Sequence, residues 1–211
     1  MMFSILKSSQ KYKVTYILMA VNIALYIYGA IVGGDIFYTA NNVVMSLGQV
    51  NFFVLNLGMY YQLFTSMFIH ASIVHLVGNM MFLLIFGLRG EEMFSLPEYL
   101  GIYFIGGLIG NLLSLIPTVV FGDLTFISVG ASGAIFALFG ACIIYDRRQM
   151  RQSILGALVF AFFLFFINMG EGVNILAHLG GLVFGLVAGY IIASRRKPEP
   201  QYNVNYSYQP I

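Results

Sequence analysis

The stretch ILAHLGGLVFGLVAGYIIAS, residues 175–194, runs for 20 residues without a charged side chain. About 20 consecutive apolar residues are needed for a helix to span the hydrocarbon core of a bilayer. The stretch carries His178 in its first turn and Gly181, Gly185 and Gly189 at four-residue spacing. Stripes of small residues allow membrane helices to approach closely. The stretch therefore predicts a transmembrane helix that packs tightly on a neighbour and presents one imidazole.

The whole chain has the composition of a membrane protein. Of its 211 residues, 60% are hydrophobic and 9% are charged, and the net charge is +2. A soluble domain carries roughly 25% charged residues, which cover its surface. The small net charge argues against nucleic-acid binding, the single cysteine against a disulfide framework, and the aromatic content of 16% against disorder. We expect an integral membrane protein that forms one helical bundle.

Six apolar segments are candidates for transmembrane helices. They are residues 14–32, 61–88, 97–118, 131–145, 152–168 and 175–194. The predicted fold is all-α, a polytopic bundle of six transmembrane helices over 14–194, with a cytoplasmic segment 1–13 and a flexible cytoplasmic tail 195–211. The first connection, 33–60, is long and rich in Phe, Leu and Met. We expect it to be partly submerged at the outer interface.

The basic residues indicate the orientation of this bundle. All ten lie at the same side of the predicted spans: Lys7, Lys11, Lys13, Arg89, Arg147, Arg148, Arg151, Arg195, Arg196 and Lys197. The opposite connections carry charge only as Asp35, Asp123 and Glu171. Because Lys and Arg concentrate in cytoplasmic loops, we predict a multi-pass protein of the cell membrane with both termini in the cytoplasm.

Three polar residues fall at nearly one depth on the second, fourth and sixth predicted spans. Counted from the basic residue at the inner end of each span, Ser132, His178 and His75 stand roughly 22, 25 and 21 Å above the inner face. Asn79 shares a helix face with His75. Polar groups inside a membrane cost free energy and are functional candidates. Their common depth indicates a shared site near the outer surface.

These residue types favour acyl-transfer chemistry. A neutral histidine such as His178 can serve as the base that activates the hydroxyl of Ser132. The imidazole of His75 and the amide of Asn79 could stabilise an oxyanion, although a polar pair that joins two helices is the alternative for these two. Because the acidic residues lie away from this depth, we predict a Ser-His dyad without a carboxylate.

A metal centre is not expected, and the sequence calls for no cofactor. His70 and His75 lie about 140° apart on a helix, so they do not share a face. Neither belongs to an H-E-x-x-H motif, and no intramembrane carboxylate offers a third ligand. We therefore interpret His70 as a supporting residue.

The three motifs HLVGN (75–79), GASG (130–133) and AHLGG (177–181) together resemble the rhomboid family of intramembrane serine proteases. The resemblance covers roughly 14–194, and it implies that Ser132 is the nucleophile and His178 the general base. It also implies that His75 and Asn79 stabilise the oxyanion together with the backbone amide of Ser132.

The resemblance extends to further positions. The supporting residues that it implies are Gly130, Gly133, Phe136, His70, Gly181 and Gly185, and Glu91 also falls at a family position. Phe136 stands where the family often has a tyrosine that stacks on the catalytic ring. The implied partners are transmembrane protein substrates and membrane lipid, and not nucleic acid. Alternatives are a catalytically silent rhomboid-like binder of membrane helices and a transporter, for which an inverted repeat would be expected.

Overall fold

The computed structural model describes residues 13–150 and 174–196, with the backbone alone described for 146–150. The predicted span 152–168, most of the predicted N-terminal segment and the tail from 197 onward lie outside the described residues. The described part of the chain is mostly helical.

In chain order the elements are α1 Lys13–Gly33, α2 Asn41–Leu47, β1 Gln49–Val50, α3 Asn51–Leu57, α4 Gln62–Thr65, a 3₁₀ turn Ser66–Phe68, α5 Ile73–Met93, α6 Leu96–Leu113, α7 Ile116–Phe121, β2 Ile127–Ser128, α8 Ser132–Met150 and α9 Ile175–Arg195. The two strands pair antiparallel, and Gln49 lies opposite Ser128. This short sheet fastens the first long connection to the segment that leads into α8.

Four helical stretches of the described chain are long and apolar enough to cross a membrane. They are Lys13–Gly33, Ile73–Met93, Leu96–Phe121 and Ile175–Arg195. A fifth apolar helix, Ser132–Tyr145, is shorter. These five stretches correspond to five of the six predicted segments, and the third segment is divided between α6 and α7. The chain is a multi-pass helical membrane protein.

The prediction of one helix over 61–88 is wrong in its first half. The long helix begins only at Ile73, where the side chain of Ser72 caps it. Upstream, the side chains of Gln62 and Thr65 donate hydrogen bonds to backbone carbonyls of α2. These hydrogen bonds hold the segment against α2, and it forms the short α4 and the 3₁₀ turn instead of continuing α5.

The first long connection is ordered rather than irregular. Its two short helices bury Val43 and Val54, and the strand between them buries Val50. The side chains of Phe52 and Leu55 on the other side of α3 are exposed. The connection therefore has one face packed on the bundle and one apolar face turned outward.

Helix α8 lies at the centre of the bundle, where it packs against α5, α6 and α9. All of its residues from Ala134 to Cys142 are buried, including Leu138 and Ala141 at 0% exposure. A helix that is apolar on all sides is expected at such a central position. The first residue of α8 is consequently held by neighbours on several sides.

Small residues bring α8 and α9 into backbone contact. A Cβ atom on Gly181 would overlap the carbonyl oxygen of Gly133, and one on Gly185 would overlap that of Ala137. The same relation continues one turn further, between Gly189 and Ala141. The two stripes of small residues thus face each other in register, which brings the first turns of α8 and α9 side by side.

The opposite ends of the helices are joined by Arg196. Its guanidinium donates to the carboxylate of Glu98, to the carbonyl oxygen of Met93 and, at 3.0 Å, to the hydroxyl of Tyr145. Glu98 also completes a capping box with Ser95 at the start of α6. Helices α5, α6, α8 and α9 are therefore fastened to one another at this end.

Candidate active site

Ser132 is the first residue of α8, and the turn before it is built on Gly130. Gly130 has a φ of +119°, a conformation that side chains disfavour. A Cβ atom there would also lie 2.8 Å from Nε2 of His75. The amide of Gly130 donates to the carbonyl oxygen of Ser66 at 2.9 Å, which fixes the turn. Backbone conformation and available space both demand glycine at this position.

His178 lies in the first turn of α9, directly beside Ser132. Its Nε2 is 2.7 Å from the Oγ of Ser132, and its side chain is buried. In the tautomer that carries the proton on Nδ1, Nε2 accepts the hydrogen bond from the serine hydroxyl. The ring of Phe136 stacks on the imidazole, with centroids 4.5 Å apart and planes inclined by 23°. The stack restricts the ring to the orientation that faces the serine.

His75 and Asn79 approach the same turn from α5. Asn79 lies one helical turn after His75, and its Nδ2 donates to the carbonyl oxygen of His75 at 3.0 Å. Both side chains face Gly130, and Asn79 lines the same cleft as Ser132. The structure therefore brings α5, α8 and α9 together at the four polar residues that the sequence singled out.

A small cleft adjoins the Ser132 hydroxyl. Its lining is formed by Asn79, Phe82, Phe86, Ser132, Ile135, Phe136 and Phe139. Asn79 and Ser132 supply its polar groups, and the remaining lining is aromatic or aliphatic. An apolar cleft with few polar groups is typical of a ligand-binding site.

Several described carboxylates are engaged away from this cleft. Glu91 accepts the backbone amide of Thr15 at 2.7 Å, and Asp123 accepts that of Thr125 at 3.0 Å. Glu98 pairs with Arg196 at the opposite end of the helices. Within residues 13–150 and 174–196, His, Cys, Asp and Glu side chains form no group of three that could hold a metal ion.

Residues 57–195 match the family model for the Rhomboid domain. The chain belongs to the rhomboid family. Curated rhomboid relatives align over much the same region. RHOMBOID-like protein 6, mitochondrial, of Arabidopsis thaliana is 38% identical over 138 residues, which are 63% of this chain and 43% of the relative.

Two further rhomboid relatives carry the word protease in their names. The putative rhomboid protease YdcA of Bacillus subtilis (strain 168) is 33% identical over 66% of this chain and 71% of the relative. Rhomboid-like protease 3 of Toxoplasma gondii is 32% identical over 58% of this chain and 48% of the relative. Apart from the Bacillus protein, these relatives are covered over less than half of their length.

The remaining predicted residues of this rhomboid surround the polar group. His70 has no exposed surface, and its ring meets that of His75 edge-on, with centroids 5.1 Å apart. It lies before α5 rather than within a membrane helix. A Cβ atom on Gly133 would be 3.3 Å from the carbonyl oxygen of Ala177. Gly181 and Gly185 lie further along the α8–α9 contact.

Sequence reasoning missed two residues that hold this site. Asn174 caps α9 four residues before His178, and the main-chain carbonyl of Ser66 accepts the amide of Gly130. An asparagine directly before an apolar helix is an N-cap signal, so Asn174 could have been found. Ser66 carries no comparable signal, because its role depends on a contact between segments that are distant in the chain.

Proposed function

We propose that this rhomboid is an intramembrane serine endopeptidase that cleaves transmembrane helices of other proteins near the outer face of the membrane. Ser132 is the nucleophile and His178 the general base. The observation that carries the proposal is the 2.7 Å separation between Oγ of Ser132 and Nε2 of the buried His178. Nucleophile and base within hydrogen-bond reach are the signature of covalent catalysis.

The first half of the reaction forms an acyl-enzyme. The Oγ of Ser132 attacks the scissile carbonyl carbon while Nε2 of His178 takes the hydroxyl proton. The tetrahedral intermediate collapses as the C–N bond breaks, and the imidazolium passes its proton to the departing amine. In the second half, His178 takes a proton from water as the water oxygen attacks the ester carbonyl carbon. The C–O bond to Oγ of Ser132 then breaks, the fragment with the new carboxyl terminus leaves, and the imidazolium returns the proton to Oγ.

The oxyanion is stabilised by groups around the start of α8. Ser132 lies at a helix N-terminus, where backbone amides and the helix dipole favour negative charge. His75 and Asn79 face the preceding turn at Gly130, and Asn79 lines the cleft beside Ser132. Donors aimed at a developing oxyanion are the largest catalytic contribution in many acyl-transfer enzymes. Donation by His75 and Asn79 completes the proposed machinery.

The substrate must unwind before it is cut. A carbonyl inside an intact helix is held by its own hydrogen bond, and its backbone is shielded by side chains. Segments with small or helix-breaking residues open at lower cost, since glycine and proline weaken helices. The preferred substrate is therefore a transmembrane helix with such residues near its outer end.

The proposed topology places this site below the outer surface. Six spans within 14–194, with the segment 1–13 and the tail 195–211 in the cytoplasm of a cell-membrane protein, put the start of α8 on the outer side. The distribution of basic residues supports this orientation. The exposed apolar side of α3, with Phe52 and Leu55, supports a first connection that is partly submerged at the outer interface.

A reporter assay tests the proposal. The chain is reconstituted in lipid vesicles with a reporter protein that has one transmembrane helix, and cleavage is followed by gel. Ser132→Ala and His178→Ala should each abolish cleavage while the protein still accumulates in the membrane. Ser194→Ala is the matched control, because this exposed serine lies at the end of α9 opposite His178, where it donates to the carbonyl oxygen of Tyr190, and it should retain full cleavage.

Two outcomes would contradict the proposal. Unimpaired cleavage by either site variant would remove the dyad from the mechanism. Stable co-purification of an uncut reporter with the unaltered chain, with no cleavage in any lipid tested, would favour the silent binder of membrane helices.

A further inference from the structure

Asn174 is the residue immediately before α9, and its side chain reaches in two directions. Its Oδ1 accepts the amide of Ala177 at 3.0 Å, and its main-chain carbonyl accepts that of His178 at 3.2 Å. Its Nδ2 donates to Oγ of Ser128 at 2.7 Å and also to Oγ of Ser114. Asn174 is only 8% exposed, so these hydrogen bonds are shielded.

The orientation of this amide is fixed by its partners. The backbone amide of Ala177 can only donate, so it must face the oxygen Oδ1. The hydroxyl of Ser114 already donates to the carbonyl oxygen of Gly110 at 2.9 Å, which leaves its oxygen free to accept from Nδ2. A carboxylate at position 174 would provide no hydrogen-bond donor, and a shorter side chain would not reach Ser128 and Ser114. The site therefore uses both ends of an asparagine amide.

The hydrogen bonds of Asn174 connect the two segments that carry the candidate active site. Ser128 belongs to β2, four residues before Ser132 in the segment that turns at Gly130 into α8. Ala177 and His178 belong to the first turn of α9. One buried side chain thus joins the backbone that carries the proposed nucleophile to the backbone that carries the proposed base.

We propose that Asn174 is a positioning residue that sets the separation between Ser132 and His178. The inference rests on the proposed function. A displacement of about 1 Å between reacting groups can cost on the order of 100-fold in rate. An ordinary N-cap would need only the acceptor oxygen, which serine or threonine supplies as well as asparagine. The donation to Ser128 is what distinguishes positioning from capping.

Asn174→Ser tests this distinction, because it keeps a capping oxygen and removes the reach to Ser128 and Ser114. We expect kcat for reporter cleavage to fall at least about tenfold with KM unchanged. The thermal midpoint in detergent should stay near that of the unaltered chain. Asn56→Ser is the matched control, since Asn56 is exposed and donates only within its own helix, and its kcat should not change. An unchanged kcat in Asn174→Ser overturns the inference.

Ser128→Ala provides an independent variant, and it decides the question if Asn174→Ser does not accumulate. It should also lower kcat, and the double variant should lose no more than Asn174→Ser alone, because both substitutions remove the same hydrogen bond between positions 174 and 128. Unchanged kcat in Ser128→Ala, or losses that multiply in the double variant, overturn the inference. Failure of the proposed function is recognised separately, as cleavage that survives Ser132→Ala.

Discussion

Gly181 packs against the carbonyl oxygen of Gly133 so closely that a Cβ atom would have no room between them. Gly133 directly follows Ser132 at the start of α8, and Gly181 lies three residues after His178 in α9, so the contact adjoins the 2.7 Å pair of Ser132 and His178. The distance between the two proposed catalytic side chains is therefore set by how closely two helix backbones approach. A substitution that separates the two helices should therefore lower both the stability and the activity of the protein.

Gly181→Ala should separate α8 from α9. Overpacking of a tight interface costs about 1–3 kcal/mol, so the free energy of unfolding in detergent should fall by that amount and reporter cleavage should be lost. Gly101→Ala is the control, because a Cβ atom on Gly101 meets nothing within 4 Å. It should retain activity and full stability. Equal effects of the two substitutions would contradict the role of the α8–α9 contact.

Gly130→Ala should displace the ring of His75 and thereby lower the activity of the protein. The new methyl group would lie 2.8 Å from Nε2 of His75 and would displace the ring. We expect reporter cleavage to fall roughly 100-fold, as for other small displacements of reacting groups. Gly122→Ala also introduces a side chain at positive φ, +72°, but in open space. If Gly122→Ala retains cleavage, the loss in Gly130→Ala comes from the contact with His75 and not from backbone strain. Equal losses in the two variants would argue against the contact with His75 as the cause.

Asn79→Ala should slow the chemical step without weakening substrate binding. Removal of one oxyanion donor costs roughly 100- to 1,000-fold in kcat in acyl-transfer enzymes. Because the interaction forms mainly in the transition state, KM should change little. Steady-state kinetics on the reporter helix measure both constants, with the exposed Asn56→Ala as a control. A rise in KM at constant kcat would assign Asn79 to substrate binding instead.

The aromatic face of Phe136 should be needed for cleavage, whereas a tyrosine hydroxyl at this position should not. Phe136 stacks on His178 at 4.5 Å between centroids, so Phe136→Tyr should keep near-normal cleavage. Phe136→Leu removes the stacked face while it keeps apolar bulk, and we expect cleavage to fall about tenfold, the equivalent of 1.4 kcal/mol. Comparable activity of the tyrosine and leucine variants would show that the stack does not orient the imidazole.

Long apolar helices were predictable from hydropathy because their ends coincide with changes in composition. The predicted 14–32 lies within one residue of α1, and 175–194 within one residue of α9. The predicted start at 61 failed because the apolar residues there surround Gln62 and Thr65, whose side chains bond to α2. Such contacts join distant parts of the chain, and hydropathy does not register them.

Much of the candidate site was also predictable, since depth along the helices places Ser132, His178 and His75 at one level. The family assignment suggested by the three motifs is confirmed by the Rhomboid domain match over 57–195. The tight turn at Gly130 and the amide of Asn174 were not foreseen. Both depend on which segments meet in three dimensions, and a single sequence without contacts cannot supply that.

The activation of Ser132 by His178 can be tested by covalent labelling. The chain in detergent is treated with a fluorophosphonate, and the modified peptide is identified by mass spectrometry. The label should be found on Ser132, and it should be lost in His178→Ala while the protein remains folded. Labelling at another residue, or undiminished labelling of Ser132 in His178→Ala, would contradict the activation of Ser132 by His178.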